Sequence, residues 1–428
     1  MKCFKLNNLN EQEISGLTKR PAVDFEKTFT IIKPVLEDIK NNGLQAAVKY
    51  AKQFDGFSSN SVYVSDNEIL EAEKSLNPKV KKALETAYSN IFAFHKEEVP
   101  NKIRKETLPG IICSREFRPI DNVGLYIPGG NAVLPSTVLM LGIPARIAAC
   151  PRIVLATPVK GDHINPAILY AAGLCGIKEI IKIGGAQGIG LLAFGDSSFH
   201  KVDKIFGPGN QYVTAAKLLV SIDPEGCAID MPAGPSELLV ISDQYADPSF
   251  IASDLLSQAE HGEDSQVILV TTSEEKAVEV EKELELQLSL LPRKNIAEKS
   301  LGNSFMLITD TVTDALNFSN VYAPEHLILN VKQPDQFVDY IRNAGSVFLG
   351  EYSPESAGDY ASGTNHSLPT SGFARSFGGV SVEFFMKAVS FQSLTKDGLS
   401  HISAAVETLA IEEGLFAHKN AVTIRLKK

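Results

Sequence analysis

Apolar residues follow two patterns along this chain. In the first hundred residues they recur at helical spacing, as at Val80, Leu84, Ala87, Ile91 and Phe94, which places them on one face of a helix. Ser65 with Glu68 three positions later has the form of a capping box, the signature of a helix start. The first hundred residues therefore read as helical, with an apolar stripe that a sheet would cover. From about Ile111 the pattern becomes a series of short β-rich runs: VGLYI, IVLAT, EIIKI, KIF, ELLVIS, QVILVT, FMLIT, LILNV and SVFLG. Most hold a continuous apolar stretch instead of alternating with polar residues, as strands covered on both faces do. Helix-length segments begin at Ser136 and Asn165 between them. Strand-helix alternation on this scale predicts an α/β fold with parallel sheets.

Glycine-rich turns follow several of the runs, at residues 127–131 (IPGGN), 184–188 (GGAQG) and 206–210 (FGPGN). The first and third each follow a strand and open a helix, as an old internal duplication would produce. Gly188, Gly190 and Ala193 match G-x-G-x-x-A in form, but Gly184 and Gly185 already occupy the turn, so the matching glycines are expected inside the following helix. A standard dinucleotide fingerprint is absent, while phosphate binding by the loops stays open. Residues 351–380 are rich in Gly, Ser, Thr and Asn, with closely spaced Asp, His and Arg. A loop of that length inside a compact enzyme points to function. A last helix is expected from Ser403 to about Glu413.

Composition narrows the function. Of 428 residues, 44% are hydrophobic and 21% charged, so the chain can bury a large core and has room for two or more domains. The net charge of -10 argues against a nucleic-acid binder, which carries a basic face. No apolar stretch has the length of a membrane span, and the first twenty residues lack a signal-peptide core. The five cysteines, Cys3, Cys113, Cys150, Cys175 and Cys227, are scattered without a CxxC pair. That argues against a disulfide framework and for a cytoplasmic protein.

Three groups of residues carry candidate chemistry. Gln258 and His261 in SQAEHGED lie three apart near a helix end, on one face; imidazole is a good zinc ligand and an amide oxygen a rarer one. On this pair alone the better reading is a helix cap and a dipole-neutralising histidine. Asp359 in the long loop and His418 near the end would complete a mixed N/O set suited to zinc, but spacing cannot bring four distant residues together. Glu325 and His326 in YAPEHL stand at the start of an apolar strand, and a carboxylate with an imidazole can move protons. Adjacent residues of an extended segment point to opposite sides, so the two are expected to address different atoms of one substrate. Alternatively they belong to a proline-led turn. Cys113 and Cys150 have no surroundings arranged to lower a thiol pKa, and all five cysteines read as buried and inert, against a cysteine-based aldehyde oxidation.

Six segments together carry a resemblance: KVDKIFGPGN, AIDMPAGPSE, ASDLLSQAEHGEDSQVILVT, YAPEHL, SGTNHSLPTSGFARSFGGVSV and AHKNAVTIR. In this order the chain resembles the histidinol dehydrogenase family over residues 20–425. The resemblance implies an NAD-dependent, zinc-containing oxidoreductase of histidine biosynthesis that oxidises L-histidinol to L-histidine by way of L-histidinaldehyde. It implies zinc on Gln258, His261, Asp359 and His418, one ion per subunit, with His418 supplied across a homodimer. It implies proton transfer by Glu325 and His326, and substrate contacts at Ser236, His366 and Glu413 besides His326 and the zinc residues. It implies cofactor contacts at Tyr126, Gln187 and Asn210. The implied fold is an intertwined dimer of two Rossmann-like domains, one inserted in the other, with small helical terminal domains. On this chain the expected boundaries are 24–125 with 236–380, then 126–235 inserted, and 1–23 with 381–428 as dimerisation segments.

Overall fold

The computed structural model describes residues 1–20, 25–129, 133–159, 161–232 and 234–427. Gly130 and Asn131 of the first glycine turn lie outside the described residues, as does the boundary at Asp24. The α/β expectation holds, with two parallel sheets. One has five strands in the spatial order Glu179–Ile181, Arg152–Ala156, Asn122–Tyr126, Lys204–Phe206, Ala228–Ile229. The other has six, in the order Lys2–Lys5, Phe305–Ile308, Gln266–Thr271, Glu237–Ser242, His326–Asn330, Ser346–Leu349. Apart from the added Lys2–Lys5, both sheets start in the middle, run outward one way, then return to the other side of the first strand. This shared order is the doubly wound pattern, in which ligands bind where the winding reverses.

The continuously apolar runs became the central strands because both faces are covered. In Glu237–Ser242, Leu238 and Val240 face one core and Leu239 and Ile241 the other. Burying each such side chain is worth about 1.5–3 kcal/mol, which offsets the cost of ordering the strand. Ser65 and Glu68 form the expected capping box, at the helix Asp66–Ser75. The Val80 stripe belongs to the separate helix Pro78–His95. Leu84, Ala87 and Ile91 are buried in it while Val80 and Phe94 are exposed. It packs on the helix Pro135–Ile147 rather than directly on a sheet.

Three features depart from the sequence reading. Lys2–Lys5, within the stretch read as helical, is a strand paired in parallel with Phe305–Ile308. A third, antiparallel sheet joins Ile103–Leu108, Ile111–Pro119 and Met386–Leu394. The sheets also divide the chain differently from the grouping of 24–125 with 236–380. The helices Phe25–Asp55, Asp66–Ser75 and Pro78–His95 bury Leu36, Ile39, Ala72 and Ile91 in the core of the five-stranded sheet, and Asn122–Tyr126 is that sheet's central strand. Residues 1–20 belong with the six-stranded sheet, not with a terminal unit. The physical reason is the partner of each apolar stripe. The helix Phe25–Asp55 finds its partner on the helix Gly185–Phe194, where a Cβ on Gly190 would lie 3.0 Å from both Ile39 and Leu36.

Candidate active site

The candidate chemistry gathers where strands of the six-stranded sheet begin. Helix Val312–Tyr322 ends at Ala323, whose φ of 55° is the left-handed conformation. The chain then turns through Pro324 and Glu325 into the strand His326–Asn330. The neighbouring strand starts at Glu237, with Ser236 half-buried just before it. The helix Pro248–Ala259 delivers Gln258 in its last turn and His261 just past its end. A short helix, Glu355–Tyr360, brings in Asp359.

These segments converge on a few atoms. The backbone N–H of Glu237 donates to Glu325 Oε2 at 2.8 Å. His326 Nδ1 lies 3.1 Å from the Glu237 carbonyl oxygen and 3.5 Å from Glu325 Oε2. His326 Nε2 lies 3.5 Å from Asp359 Oδ1, an ion-pair distance, and is otherwise a buried nitrogen without a hydrogen-bond partner. Gln258 Nε2 lies 3.2 Å from His326 Nδ1 and donates weakly to the Glu237 carbonyl at 3.4 Å. That leaves the fully buried Gln258 Oε1 with no partner. His366 Nδ1 donates to the Asp359 carbonyl at 2.9 Å, and its Nε2 accepts from the Thr137 hydroxyl at 3.1 Å. Thr137 belongs to the helix that follows the first glycine turn, so His366 links this cluster to the five-stranded sheet.

Glu325 and His326 thus differ from their expected arrangement, since their side chains meet instead of diverging. Strand alternation begins only at His326; Glu325 is still in the turn, and the Glu237 N–H draws its carboxylate inward. Burial pushes the Glu325 carboxyl up, against the nearby His326. Burial alone would lower His326, but Glu355, Glu325 and Asp359 outweigh it and hold the imidazole well above its usual value. Burial lowers His366 and, opposed by Asp359, His261. His261 stands at the rim, with an exposed surface.

His261, Asp359 and Glu355 offer ligand atoms within 4.8 Å of one another. The sequence reading missed Glu355, a buried carboxyl raised to about 8 by desolvation. Its signal was its place four residues before Asp359, one helical turn away. Asp254, one turn before Gln258, is likewise pushed up to about 7 by burial. Glu413 and His418 do not join this cluster. Both are exposed, on the hairpin of helices Lys396–Glu412 and Phe416–Lys427.

Tyr126, Gln187 and Asn210 stand elsewhere, around the carboxyl ends of the five-stranded sheet where its winding reverses. The Tyr126 hydroxyl accepts from the Gly185 N–H at 3.2 Å. Gln187 lies in the first turn of Gly185–Phe194 and donates to Asp55 at 2.6 Å. Asn210 caps the helix Gln211–Ile222, its Oδ1 accepting from Tyr212 and Val213. Gly207, at φ 121°, passes so close to the first strand that a Cβ there would sit 2.1 Å from the Tyr126 carbonyl oxygen. The buried pair Lys217–Asp230 braces this loop, Lys217 donating to the Gly207 oxygen at 2.7 Å and Asp230 accepting from its N–H at 2.8 Å. Gly188 and Gly190 are inside the helix, as expected. Burial raises the thiols of Cys150, Cys175 and Cys227 to about 12, so none of these is a ready thiolate; Cys3, on the edge strand Lys2–Lys5, is exposed and Cys113 half-buried, against the expectation of five buried cysteines. Among the described residues, no helix is long and apolar enough to cross a membrane.

The family profile described as histidinol dehydrogenase matches residues 18–426. The histidinol dehydrogenase of Photobacterium profundum is 49% identical over the whole chain and 96% of its own length. The chloroplastic enzyme of Oryza sativa is 49% identical over the whole chain and 90% of its own length. The crystal structure of histidinol dehydrogenase from Elizabethkingia anophelis superposes with a TM-score of 0.95 at 50% identity, covering 100% of this chain and 98% of that one.

Proposed function

Because the chain belongs to the histidinol dehydrogenase family, an oxidoreductase family of histidine biosynthesis, we propose that it oxidises L-histidinol through L-histidinaldehyde to L-histidine, using NAD and zinc. The observation that carries this reading is the convergence of Gln258, His261, Asp359, Glu325 and His326 from three separate segments on one cluster, buried except for His261 at its rim.

The residues fit a zinc ion. The orphaned Gln258 Oε1 is the kind of atom a cation would satisfy, and His261 and Asp359 add a nitrogen and a charged oxygen beside it. Gln258, His261 and Asp359 would hold the ion, with His418 from a second copy of the chain as the fourth ligand. When bound, zinc fixes the substrate by its nitrogen atoms and supplies no redox chemistry. Support for a second copy comes from the C-terminal hairpin, which exposes Leu409, Leu415 and Phe416 and carries His418 away from its own cluster. The glycine turns at the winding reversal fit a nucleotide. Tyr126, Gln187 and Asn210 would hold NAD, the hydride acceptor.

The proton chemistry falls to this chain's own residues. A carbonyl oxygen can only accept, so His326 Nδ1 carries the ring hydrogen toward Glu237, and in the neutral ring Nε2 is the atom that takes the substrate's hydroxyl proton; a cation held by Asp359 would offset the carboxylate charge that otherwise keeps the ring protonated. Glu325 is kept from easy ionisation by burial, and the positive charge that His326 gains on taking the hydroxyl proton favours the carboxylate form. The carboxylate draws a proton from water as that water adds to the aldehyde. Ser236, His366 and Glu413 are proposed substrate contacts. Burial keeps bulk water from the cluster, so the aldehyde is held for the second oxidation.

The test is NADH absorbance with L-histidinol. Turnover is expected with the zinc-loaded protein, to be abolished by a chelator and restored by added zinc. Full turnover by protein shown to be metal-free would overturn the role given to Gln258, His261 and Asp359.

A further inference from the structure

We propose that Arg20 and Glu237 are a positioning pair that sets the aim of the proton-transfer residues Glu325 and His326. The proposal rests on the reading of those two residues given above. Glu237 is the first residue of its strand and almost fully buried. Its backbone holds the chemistry, the N–H gripping the Glu325 carboxylate and the carbonyl facing His326 Nδ1 and Gln258 Nε2. The orientation of the ring, with Nδ1–H toward that carbonyl and Nε2 toward the cluster, depends on where the one carbonyl points.

What fixes Glu237 comes from far away in the sequence. Arg20 makes a two-pronged contact with its carboxylate, Nε to Oε1 at 2.9 Å and Nη2 to Oε2 at 2.8 Å. Such fork-to-fork pairs fix orientation as well as distance. The same Nη2 donates to the carbonyl of Ala323 at 3.1 Å. Ala323 is the left-handed residue where the helix stops and the turn to Glu325 begins, a conformation that surroundings must hold. The guanidinium also lies over the Tyr322 ring, 3.5 Å from its centroid. The loop residue Ser371, itself at φ 56°, donates its N–H to Glu237 Oε1 at 2.6 Å. One arginine thus joins the strand that orients His326 to the turn that carries Glu325. Losing it frees both ends of the proton-transfer pair while leaving every cluster side chain in place.

The experiment compares Arg20→Ala, Arg20→Lys and Glu237→Gln with Glu325→Gln and His326→Asn, in zinc-loaded enzyme with L-histidinol and NAD. Arg20→Ala is expected to lower kcat about 10–100-fold, the usual cost of losing an outer partner of a catalytic group, with KM for histidinol little changed. Arg20→Lys, which keeps the charge but not the fork, should recover only part of the loss. Millimolar guanidinium should rescue Arg20→Ala saturably, and sodium at equal ionic strength should not. A passive structural role would not produce that rescue. Wild-type kcat in folded Arg20→Ala, or a loss confined to KM, overturns the proposal. If Arg20→Ala does not fold, Glu237→Gln decides: it keeps the volume and all backbone contacts, so a fall in kcat at constant KM supports the proposal and wild-type kcat overturns it. Full turnover in Glu325→Gln and His326→Asn would instead overturn the assignment of the proton-transfer pair, whatever Arg20 does.

Discussion

Glu325 and His326 are neighbours in the chain whose side chains end 3.5 Å apart, yet their proposed tasks belong to different half-reactions. Water is consumed only when the aldehyde is oxidised. Glu325→Gln is therefore expected to slow oxidation of supplied histidinaldehyde far more than oxidation of histidinol, by about 10²–10⁴-fold if general base catalysis is lost. His326→Asn should slow the alcohol step as well. Single-turnover NADH formation from each substrate is the measurement, and equal slowing of both steps by Glu325→Gln would remove water activation from that residue. The sequence showed which residue types stand here, because YAPEHL is distinctive. It could not show that the two side chains meet, since this depends on Ala323 taking a left-handed turn and on a backbone N–H 88 residues away. Glu355 went unseen for a similar reason. Its carboxyl has meaning only once a short helix forms in a stretch with little periodicity.

The strands were the most legible elements, because runs such as ELLVIS and QVILVT need cover on both faces and only a central strand of a layered α/β fold has it. Lys2–Lys5 was illegible. Four residues reading KCFK carry no periodicity, and only the edge offered by Phe305–Ile308 makes them a strand. The antiparallel sheet was hidden because its strands mix exposed and half-buried positions. The glycine turns were legible as turns but not as a meeting of two loops. Gly207 shows the difference. Its positive φ and the 2.1 Å approach of a would-be Cβ to the Tyr126 carbonyl predict that Gly207→Ala destabilises the fold by about 1–3 kcal/mol. Because Tyr126 is displaced with it, KM for NAD should also rise. Urea unfolding and NAD titration of initial rates check the two effects. An unchanged midpoint and unchanged KM would mean that the loops do not need this contact.

At the scale of the molecule, the chain leaves its proposed fourth metal ligand outside the site. His418 and Glu413 lie on an exposed helical hairpin, while the other ligands cluster at the base of the six-stranded sheet. If His418 serves a second copy, dimers mixing His261→Ala with His418→Ala have one site with both defects and one intact. They are expected to regain up to about half of wild-type activity, as independent sites in a two-fold assembly would. Tandem-tag purification of co-expressed chains gives the mixed species, and inactive, folded, zinc-competent mixed dimers would exclude the crossed arrangement. The division into two wound sheets was legible in outline from strand-helix alternation. Its boundaries were not, because which helix covers which sheet is set by packing across the fold, as where Gly190 lets Leu36 and Ile39 approach.

The placement of the first twenty residues also sets an order of events during synthesis. The five-stranded sheet and its early covering helices come from one continuous stretch, 25–229, which emerges from the ribosome whole and can fold there, since domains fold as units from the N-terminal side. Residues 1–20 precede it in the chain, yet their partners come after it. Lys2–Lys5 waits for Phe305–Ile308, and Arg20 waits for Glu237, 217 residues downstream. The segment is therefore a latch held open until the strand Phe305–Ile308 has been made, and its closing ties residues 1–20 to the turn and strand that carry the proposed proton-transfer pair.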